Sequence, residues 1–482
     1  MSQGLTDSHL KEWNEDIFLA EAAVPLIGRL LRESNVIIIM YGRPLFEKTP
    51  IGILREHRWV RKFEKNTLSI RDSFPLLEQL MKMELRPCRI DLGKLAVEWI
   101  GEDRSPEPAA FLQRKLQGME ELSEQVLEKP QDVVLYGFGR IGRLVARLLI
   151  ERAGSGDVLR LRAIVVRRGS DDDLYKRASL LRRDSVHGRF AGSIQVDTEN
   201  DALIANGHFI KVIYSNAPDE VDYTEYGIQD AIVIDNTGKW RDREGLGKHL
   251  EAKGACKALL TAPGKGDIKN VVFGVNDDAI SEDENIVSAA SCTTNAITPV
   301  LRAVLDGFGI TSGHVETVHS YTNDQNLIDN YHPKTRRGRA AGLNMVITET
   351  GAAKAVSKAI PELEGKLTGN AIRVPTPNVS MAILNLALER ETTAKELNEY
   401  LRGMALHSDL ASQIDYTQST EVSSTDIVGS RFPGVVDSAA TIVNGNHCVL
   451  YVWYDNEFGY SMQVIRVVQK MAGVEFATLP KK

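Results

Sequence analysis

The chain has 482 residues, of which 43% are hydrophobic and 26% charged, and its formal net charge is −7. This composition is ordinary for a globular protein, the length suggests about three domains, and the mild charge argues against a general nucleic-acid or membrane-surface binder. The four cysteines, Cys88, Cys256, Cys292 and Cys448, form no C-x-x-C pair. We therefore expect no metal site and no disulfide framework. The N-terminal residues lack the apolar segment of a signal peptide, so we expect a cytoplasmic protein.

Residues 1–130 are predicted to form a mainly helical N-terminal extension of unknown role. Apolar residues recur at helical spacing over 19–31 and 76–81, and Pro25 marks a point where the first helix starts or kinks. The polar, proline-containing stretch from Gly101 is predicted to be a linker, followed by a run of helix formers. The run Val36 to Met40 is apolar but too short to cross a membrane. The extension contains no cofactor, metal or nucleophile motif, and we expect structural packing to be its role.

After residue 130, short β-rich runs alternate with helical runs. This alternation predicts parallel strands with crossover helices over 131–291. Longer strands then predict a second, α+β domain over 292–461, and a closing helix over 462–482 is expected to pack back on the first domain. The runs that predict the parallel strands are VVLY, LRAIVV, AIVIDNTG, KALLTAP and IVSAAS.

A glycine-rich turn follows the first of these strands. Gly137, Gly139 and Gly142 have the G-x-G-x-x-G spacing, with the strand VVLY before them and a helical pattern after them. The first glycine permits a tight turn, the second lets the backbone approach a pyrophosphate, and the third lets helix and strand pack closely. The helix N-terminus then offers free N–H groups to the phosphates. This context predicts a Rossmann-type, doubly wound, dinucleotide-binding domain.

The residues that follow the second strand bear on the choice of dinucleotide. An acidic residue is expected there, about 20 residues after the glycines, to bind the adenosine ribose. The strand instead ends at Val166 and is followed by Arg167 and Arg168. Two arginines suit a 2′-phosphate, so NADP is favoured over NAD. NAD remains the alternative if the strand end is misplaced and Asp171 binds the ribose.

Cys292 and His319 are the candidate nucleophile and base. Cys292 lies between a β-like run and a helical pattern, which places it at the positive end of a helix dipole. A thiol at such a position, especially beside an imidazole, can have a lowered pKa. His319 lies in a strand of the following domain, where an isolated histidine is more often structural.

Six segments together resemble the family of glyceraldehyde-3-phosphate dehydrogenases. They occur in that family's order and with similar spacing, from about residue 131 to the C-terminus, including the 27-residue step from Cys292 to His319. The segments are YGFGRIGR from Tyr136, SCTTNA from Ser291, TVHSYTNDQ from Thr317, TGAAKA from Thr350, IRVPTPNVS from Ile372 and WYDNEFGYS from Trp453.

The resemblance implies an oxidoreductase that converts glyceraldehyde 3-phosphate, inorganic phosphate and NAD(P)⁺ to an acyl phosphate and NAD(P)H through a thioester on Cys292. His319 would act as the base, and residues 292–461 would form the catalytic domain. The implied ligands of the attacking phosphate are Ser291, Thr293, Thr350 and Gly351, and those of the substrate phosphate are Thr322 and Arg373. The implied cofactor contacts are the glycine loop with Arg140 and Ile141, the turn with Thr237 and Gly238, and Asn456, which would orient the nicotinamide carboxamide.

The resemblance also implies an assembly. The region from Tyr321 to Met345 resembles a loop that covers a neighbouring subunit's cofactor in a homotetramer. Small-molecule substrates are expected, and neither nucleic acid nor membrane.

The chain departs from the family pattern at several positions. Tyr136 replaces an asparagine, Val166 replaces the ribose-binding acid, and Asn330 and Tyr331 replace Leu and Pro. The last two departures favour NADP. RRGRAAG also replaces the usual Arg-Arg-Ala-Arg-Ala-Ala-Ala, and the extension has no counterpart in the ordinary enzyme. Two alternatives remain open: a dehydrogenase of erythrose 4-phosphate or another aldose phosphate, and a regulatory or binding protein that works through the extension.

Overall fold

The computed structural model describes residues 2–46, 48–154 and 156–480, with side chains from residue 7 onward. The chain divides into two compact units. Unit 1 contains the described residues of Met1–Pro130, Ala153–Val158 and Val474–Lys482. Unit 2 contains Gln131–Arg152 and Leu159–Gly473.

Unit 1 is mainly helical, as predicted, and also contains a small sheet that the sequence did not reveal. The first helix runs from Ser2 to Ser34 without a break at Pro25, so a helix start at that proline is wrong. The apolar run Val36–Met40 is a wholly buried strand that pairs in parallel with Cys88–Asp91. The sheet order is Arg43–Pro44, Val36–Met40, Cys88–Asp91 and Thr478–Leu479. The remaining α-helices of this unit are Pro50–Glu64, Ile70–Leu80, Leu92–Gly101 and Pro108–Lys115.

The stretch predicted to be a linker is a largely exposed connection between the helices Leu92–Gly101 and Pro108–Lys115, and side-chain contacts anchor it to unit 1. Trp99 Nε1 donates to Pro106 O at 2.9 Å, and Arg104 pairs with Asp72 at 2.7 Å. The helix that follows ends at Lys115, much earlier than its composition predicts, and Gly118 then adopts a φ of +88°. An anchor such as the Arg104–Asp72 pair, whose residues are 32 positions apart, cannot be read from a polar composition.

The first half of unit 2 is the predicted doubly wound sheet. Its seven neighbouring strands from Lys269–Asn270 to His208–Tyr214 are parallel, and two antiparallel strands complete one edge. Gln131–Tyr136 is central, with Leu159–Val166 on one side and Ala231–Asp235 on the other. The strand order therefore reverses at the strand that leads into the glycine loop, where such sheets bind ligands. The order is Lys269–Asn270, Ile286–Ser288, Ala255–Leu260, Ala231–Asp235, Gln131–Tyr136, Leu159–Val166, His208–Tyr214, Ala202–Ala205 and Ile194–Asp197.

The second half of unit 2 is a mixed eight-stranded sheet with helices packed against it. Ser312–Ser320 pairs in parallel with Leu367–Val374, and this register sets His319 opposite Arg373. The other strands are Val346–Thr348, Ser380–Ala387, Ile414–Thr417, Gly434–Asp437, Ile442–Asn444 and His447–Tyr454. The α-helices of unit 2 are Arg140–Glu151, Asp173–Arg182, Arg243–Glu251, Cys292–Phe308, Ala352–Ala359, Ala394–His407 and Phe458–Met471.

The closing helix is shorter than we expected from the sequence. It begins at Phe458, ends at Met471 and packs against Arg140–Glu151, the helix that follows the glycine loop. Gly473 then adopts a φ of +70°, which reverses the chain direction at low steric cost. The residues from Val474 onward belong to unit 1 instead of extending this helix. Among the described residues, no helix is long and apolar enough to cross a membrane.

Candidate active site

A cavity of about 480 Å³ in unit 2 brings together residues from distant parts of the sequence. Cys292 and His319 line it with Arg140, Ile141 and Asn456. Segments on both halves of the unit therefore contribute to one site. The cavity is also lined by Val186, Thr261, Ala262, Pro263, Ala290, Ser291, Tyr321, Thr322, Asn323, Pro377, Glu457 and Tyr460.

The three glycines of the loop have three different surroundings. Gly137 has a φ of +93°, and a Cβ there would lie 2.9 Å from Thr237 Cγ2. A Cβ on Gly142 would lie 2.5 Å from the carbonyl oxygen of Gly137. No atom would lie within 4 Å of a Cβ on Gly139, at the start of the helix. The tight turn, the close packing and the open approach to a helix N-terminus fit a bound pyrophosphate.

A second turn lies beside the glycine loop. Thr237 is held by Asp235, whose Oδ1 accepts from the Thr237 amide and hydroxyl at 2.7 Å each. Gly238 follows with a φ of +62°. This turn borders the glycine loop, as expected for a segment that lies against the cofactor.

The strand before the two arginines ends at Val166, where the sequence predicted it. Arg167 and Arg168 are both exposed just beyond this strand. The Arg168 guanidinium lies 4.2 Å from the centre of the Tyr214 ring and 4.0 Å from Asp201 Oδ1. The Arg167 carbonyl accepts from Arg177 at 2.8 Å, which fixes its backbone.

Cys292 is the first residue of a helix, after a strained approach. Ala290 is fully buried with a φ of +54°, and its carbonyl accepts from Tyr460 Oη at 3.0 Å. Ser291 caps the helix, because its Oγ accepts from the Thr294 amide at 3.0 Å. Strained backbone of this kind is found where a side chain must be presented at a site.

The thiol contacts a histidine that is itself fixed. Cys292 Sγ lies 3.5 Å from His319 Nε2, and His319 Nδ1 lies 2.7 Å from the Ser320 carbonyl oxygen. Arg373 Nη1 also lies 2.9 Å from Nδ1, but the Ser320 carbonyl is the shorter contact. With the Nδ1 proton donated to that carbonyl, Nε2 is free to accept the proton of the thiol. Arg373 Nη1 donates to the same carbonyl at 2.9 Å, beside the imidazole.

The pKa of this thiol is raised, whereas we had expected the helix start to lower it; the amides at the helix start do act to lower it, but burial outweighs them. Burial raises the pKa of Cys292, and Arg373 and hydrogen bonds from Thr293 act in the opposite direction. Burial, followed by the charge of Arg373, lowers the pKa of His319 to about 3. Each group is therefore hard to charge alone, whereas proton transfer from Sγ to Nε2 creates two charges that attract each other.

The predicted phosphate-binding residues are divided between the cavity and its surroundings. Ser291 and Thr322 line the cavity. Arg373 does not line it, but its Nη1 donates to Thr322 Oγ1 at 3.3 Å. Thr293 is buried, with its hydroxyl 3.0 Å from Tyr454 Oη. Thr350 and Gly351 lie just before the helix Ala352–Ala359 and do not line the cavity.

The structure adds residues that sequence analysis had not assigned. Arg337 is buried and pairs with Asp324, which also accepts from Thr322, so a second guanidinium stands near the proposed phosphate site. Asn456 Oδ1 accepts from Ser380 Oγ at 2.8 Å, which fixes the amide. The segments that carry Asn456, Ser380 and Arg337 were quoted in the sequence analysis, but no role was assigned to Ser380 or Arg337. The partner of Ser380 lies 76 residues away, and that of Arg337 lies 13 residues away across a loop without a periodic pattern. Among the described residues, no group of three or more His, Cys, Asp or Glu side chains is arranged to hold a metal ion.

Comparison with known proteins assigns both halves of unit 2. Residues 131–243 match the NAD binding domain of glyceraldehyde 3-phosphate dehydrogenase, and residues 291–456 match its C-terminal domain. The chain is 39% identical over 342 residues to a glyceraldehyde-3-phosphate dehydrogenase of Zymomonas mobilis, covering 70% of this chain and 98% of that one. It is 44% identical over 334 residues to the chloroplastic glyceraldehyde-3-phosphate dehydrogenase A of Zea mays, covering 69% of this chain and 80% of that one.

A relative of full length is found in Pseudomonas aeruginosa. Its glyceraldehyde-3-phosphate dehydrogenase-like protein is 58% identical over 460 residues, which is 95% of this chain and 100% of that one. An alignment of that length includes most of the N-terminal extension, which the Zymomonas enzyme lacks. The chain therefore belongs to the glyceraldehyde-3-phosphate dehydrogenase family of oxidoreductases, with a nucleotide-binding Rossmann domain and an N-terminal extension.

Proposed function

We propose that this protein oxidises glyceraldehyde 3-phosphate to the acyl phosphate 1,3-bisphosphoglycerate, using inorganic phosphate and NADP or NAD. The observation that carries the proposal is the 3.5 Å contact between Cys292 Sγ and His319 Nε2 in the cavity that the glycine-loop residues Arg140 and Ile141 also line. A thiol next to an unprotonated imidazole, beside a dinucleotide site, is suited to covalent oxidation of an aldehyde.

In the first step, Cys292 Sγ attacks the aldehyde carbon and its proton passes to His319 Nε2. A bound nicotinamide would supply the hydride acceptor, and loss of the hydride from the thiohemiacetal carbon would leave an acyl thioester on Cys292. Inorganic phosphate then attacks the acyl carbon, the C–S bond breaks, and the acyl phosphate leaves. Splitting the reaction at the thioester replaces one difficult step by two easier ones.

The surrounding residues are assigned to binding. Arg373 and Thr322, with Arg337 nearby, would hold the substrate phosphate, since guanidinium groups recognise phosphate well. Ser291, Thr293, Thr350 and Gly351 are assigned to the attacking phosphate by resemblance. The cofactor would lie along Gly137, Gly139, Gly142 and the Thr237–Gly238 turn, with Asn456 at the carboxamide and Arg167 and Arg168 at the ribose.

Initial rates of reduced-cofactor formation test the reaction. Glyceraldehyde 3-phosphate is supplied with NADP or NAD, with and without inorganic phosphate, to the wild type, Cys292→Ser and the control Cys256→Ser. We expect a phosphate-dependent rate that only Cys292→Ser abolishes, and a higher rate with NADP. A rate obtained only with erythrose 4-phosphate would favour the alternative substrate. If no aldehyde phosphate is oxidised, the result would favour the hypothesis of a binding protein that acts through the extension.

Alkylation by iodoacetamide tests the Cys–His pair without any substrate. We expect Cys292 to react much faster than Cys88 and Cys448, which are buried and have thiol pKa values raised by burial to about 12 and about 11. His319→Gln should slow the alkylation of Cys292 at pH 7 at least tenfold, because the thiol then loses its proton acceptor. Unchanged alkylation in that variant would contradict the proposed role of His319.

A further inference from the structure

A buried polar network lies beside the proposed nicotinamide end of the cavity, and none of the steps above uses it. Its central residue is His187, in the turn between the short strands Arg183–Asp184 and Gly188–Arg189. The His187 side chain is only 2% exposed, and the side chain of its partner Asp455 is fully buried. Asp455 directly precedes Asn456 in the chain.

One side of the His187 ring contacts the glycine-loop helix. Arg140 Nη2 lies 3.1 Å from His187 Nδ1. Arg140 also forms ion pairs with Asp184 and, at 2.7 Å, with Glu457 Oε2. Arg140 and Glu457 both line the cavity, so this arginine is held by two carboxylates and the ring at the cavity wall.

The other side of the ring contacts the turn that carries Asn456. His187 Nε2 lies 2.8 Å from Asp455 Oδ2. Asp455 Oδ1 accepts from the amides of Glu457 and Phe458 at 3.0 and 2.8 Å, and Oδ2 also accepts from the Gly429 amide at 2.8 Å. The carboxylate of Asp455 therefore fixes the backbone conformation of the turn, and the His187 imidazole fixes the position of the carboxylate.

Arg140 can only donate, so Nδ1 accepts from it and Nε2 donates to Asp455; the side-chain amide of Asn378 also lies 3.2 Å from Nε2. Asp184 fixes the turn that carries His187, because its Oδ1 accepts from the Val186 and His187 amides at 3.0 and 2.8 Å. The Phe458 ring lies 5.4 Å away at an angle of 31° and covers the imidazole. The ring is thus held at both nitrogens and covered on one face, as expected of a supporting group whose position is fixed.

We propose that His187 is a positioning residue that couples the glycine-loop helix to the Asp455–Asn456–Glu457 turn and so fixes the amide of Asn456 toward the nicotinamide. The inference rests on the proposed function, in which Asn456 holds the carboxamide. A loosened turn would let the nicotinamide ring rotate, so the expected defect lies in how the ring is held and not in the affinity for the adenosine end.

Two near-isosteric variants separate the two contacts of the ring. Glutamine can place its Nε2 near that of histidine, so His187→Gln keeps a donor for Asp455 and changes the contact with Arg140. Asparagine is shorter, so His187→Asn keeps an acceptor for Arg140 and loses the bond to Asp455. His187→Phe loses both, and His447→Asn, at an exposed histidine in the same unit, is the matched control.

The first readout is binding without substrate, measured by quenching of tryptophan fluorescence. His187→Asn and His187→Phe should bind NADPH about tenfold more weakly, whereas His187→Gln and the control should bind it like the wild type. All variants should bind 2′,5′-ADP, which lacks the nicotinamide, with unchanged affinity. Equal weakening for both ligands would indicate general damage to the fold and overturn the inference, as would wild-type NADPH binding by His187→Phe.

The second readout is the face of the nicotinamide that receives the hydride. With a substrate deuterated at the aldehyde carbon, proton NMR of the reduced cofactor should show one face labelled in the wild type and a measurable fraction of the other face in His187→Asn. A wild type that fails to turn over would refute the proposed function, while the binding comparison would still decide the role of His187. Strict facial selectivity in His187→Asn, together with wild-type NADPH binding, would refute the positioning role.

Discussion

Arg167 and Arg168 are neighbours in the sequence, but their side chains have different surroundings. Arg168 stacks on Tyr214 and approaches Asp201, which leaves its guanidinium committed to the protein surface. Arg167 follows the strand end directly, where the ribose-binding acid of NAD enzymes is expected. Of the two, Arg167 is therefore the stronger candidate for binding a 2′-phosphate.

This difference predicts unequal effects of two alanine substitutions. Arg167→Ala should lower kcat/KM for NADP about 10- to 100-fold, because a hydrogen bond to a charged group contributes roughly 1.5–3 kcal/mol. The kcat/KM for NAD should be nearly unaffected. Arg168→Ala should have a smaller effect on NADP. Steady-state kinetics with both cofactors measure this, and equal losses with NADP and NAD would show that neither arginine reads the 2′-phosphate.

His57 is a second residue whose surroundings predict a measurable property. It is 1% exposed between two helices of unit 1, with Nδ1 2.9 Å from the Ile53 carbonyl oxygen and Nε2 2.7 Å from Ser73 Oγ. Burial lowers the pKa of His57 to about 4.

A lowered histidine pKa means that the unfolded state binds more protons between pH 6.5 and pH 4. The stability due to neutral His57 is therefore present above pH 6.5 and is lost as the pH falls toward 4. The opening free energy of the helix Pro50–Glu64 should be about 2 kcal/mol lower at pH 5 than at pH 7.5. Hydrogen exchange measured by mass spectrometry tests this, and the pH dependence should be smaller in His57→Gln. An unchanged pH dependence in that variant would assign the effect to other groups.

Among the elements, the edge strand Thr478–Leu479 has the least expected position. It pairs in parallel with Cys88–Asp91, and Arg89 N donates to the Ala477 carbonyl at 2.8 Å. Leu479 is fully buried, whereas Thr478 is exposed. A two-residue strand is thus held by one buried side chain and a short ladder.

Substitutions of these two neighbours should distinguish the contribution of the buried side chain to stability from that of the backbone hydrogen bonds. Leu479→Ala should destabilise unit 1 by about 2–5 kcal/mol because it leaves a cavity in a packed core. Thr478→Ala, the control, should change the stability by less than about 0.5 kcal/mol. Hydrogen exchange of Cys88–Asp91 and thermal unfolding measure the difference, and similar stabilities for the two variants would contradict the buried role of Leu479.

The elements of unit 2 were predictable from the sequence because their signals are local. Apolar runs gave the strands, the glycine spacing gave the turn, and strand-to-helix order gave the position of Cys292. The small sheet of unit 1 was missed because Val36–Met40 is equally compatible with a buried helix or strand, and its partners come from residues 88–91 and 478–479. The same limit applies to His187 and Ser380, whose partners Asp455 and Asn456 lie 268 and 76 residues away.

At the scale of the whole molecule, the loop from Tyr321 to Met345 exposes a group of large apolar side chains. Such exposure on a folded chain indicates a contact surface. We predict that a second copy of the chain covers this surface, in the homotetramer that the resemblance implies. The exposed side chains are Leu327, Ile328, Tyr331, Leu343 and Met345.

Light scattering tests this assembly. We expect the wild type to have the mass of an oligomer, and Leu343→Glu to shift the population toward smaller species, because a charge would be buried in the interface. Phe209→Glu, at an exposed apolar residue elsewhere in unit 2, should leave the mass of the oligomer unchanged. A monomeric wild type would show that this loop is not a self-association surface.

The edge strand of unit 1 also has a consequence for the order in which the protein is made. Residues 478–479 leave the ribosome only after the whole of residues 131–473, although the sheet that they complete begins with residues 36–40. The strand Cys88–Asp91 of the first unit therefore has one unpaired edge while the second unit is synthesised and folds. An exposed strand edge invites pairing with other chains, so the nascent protein is most prone to aggregation during this interval.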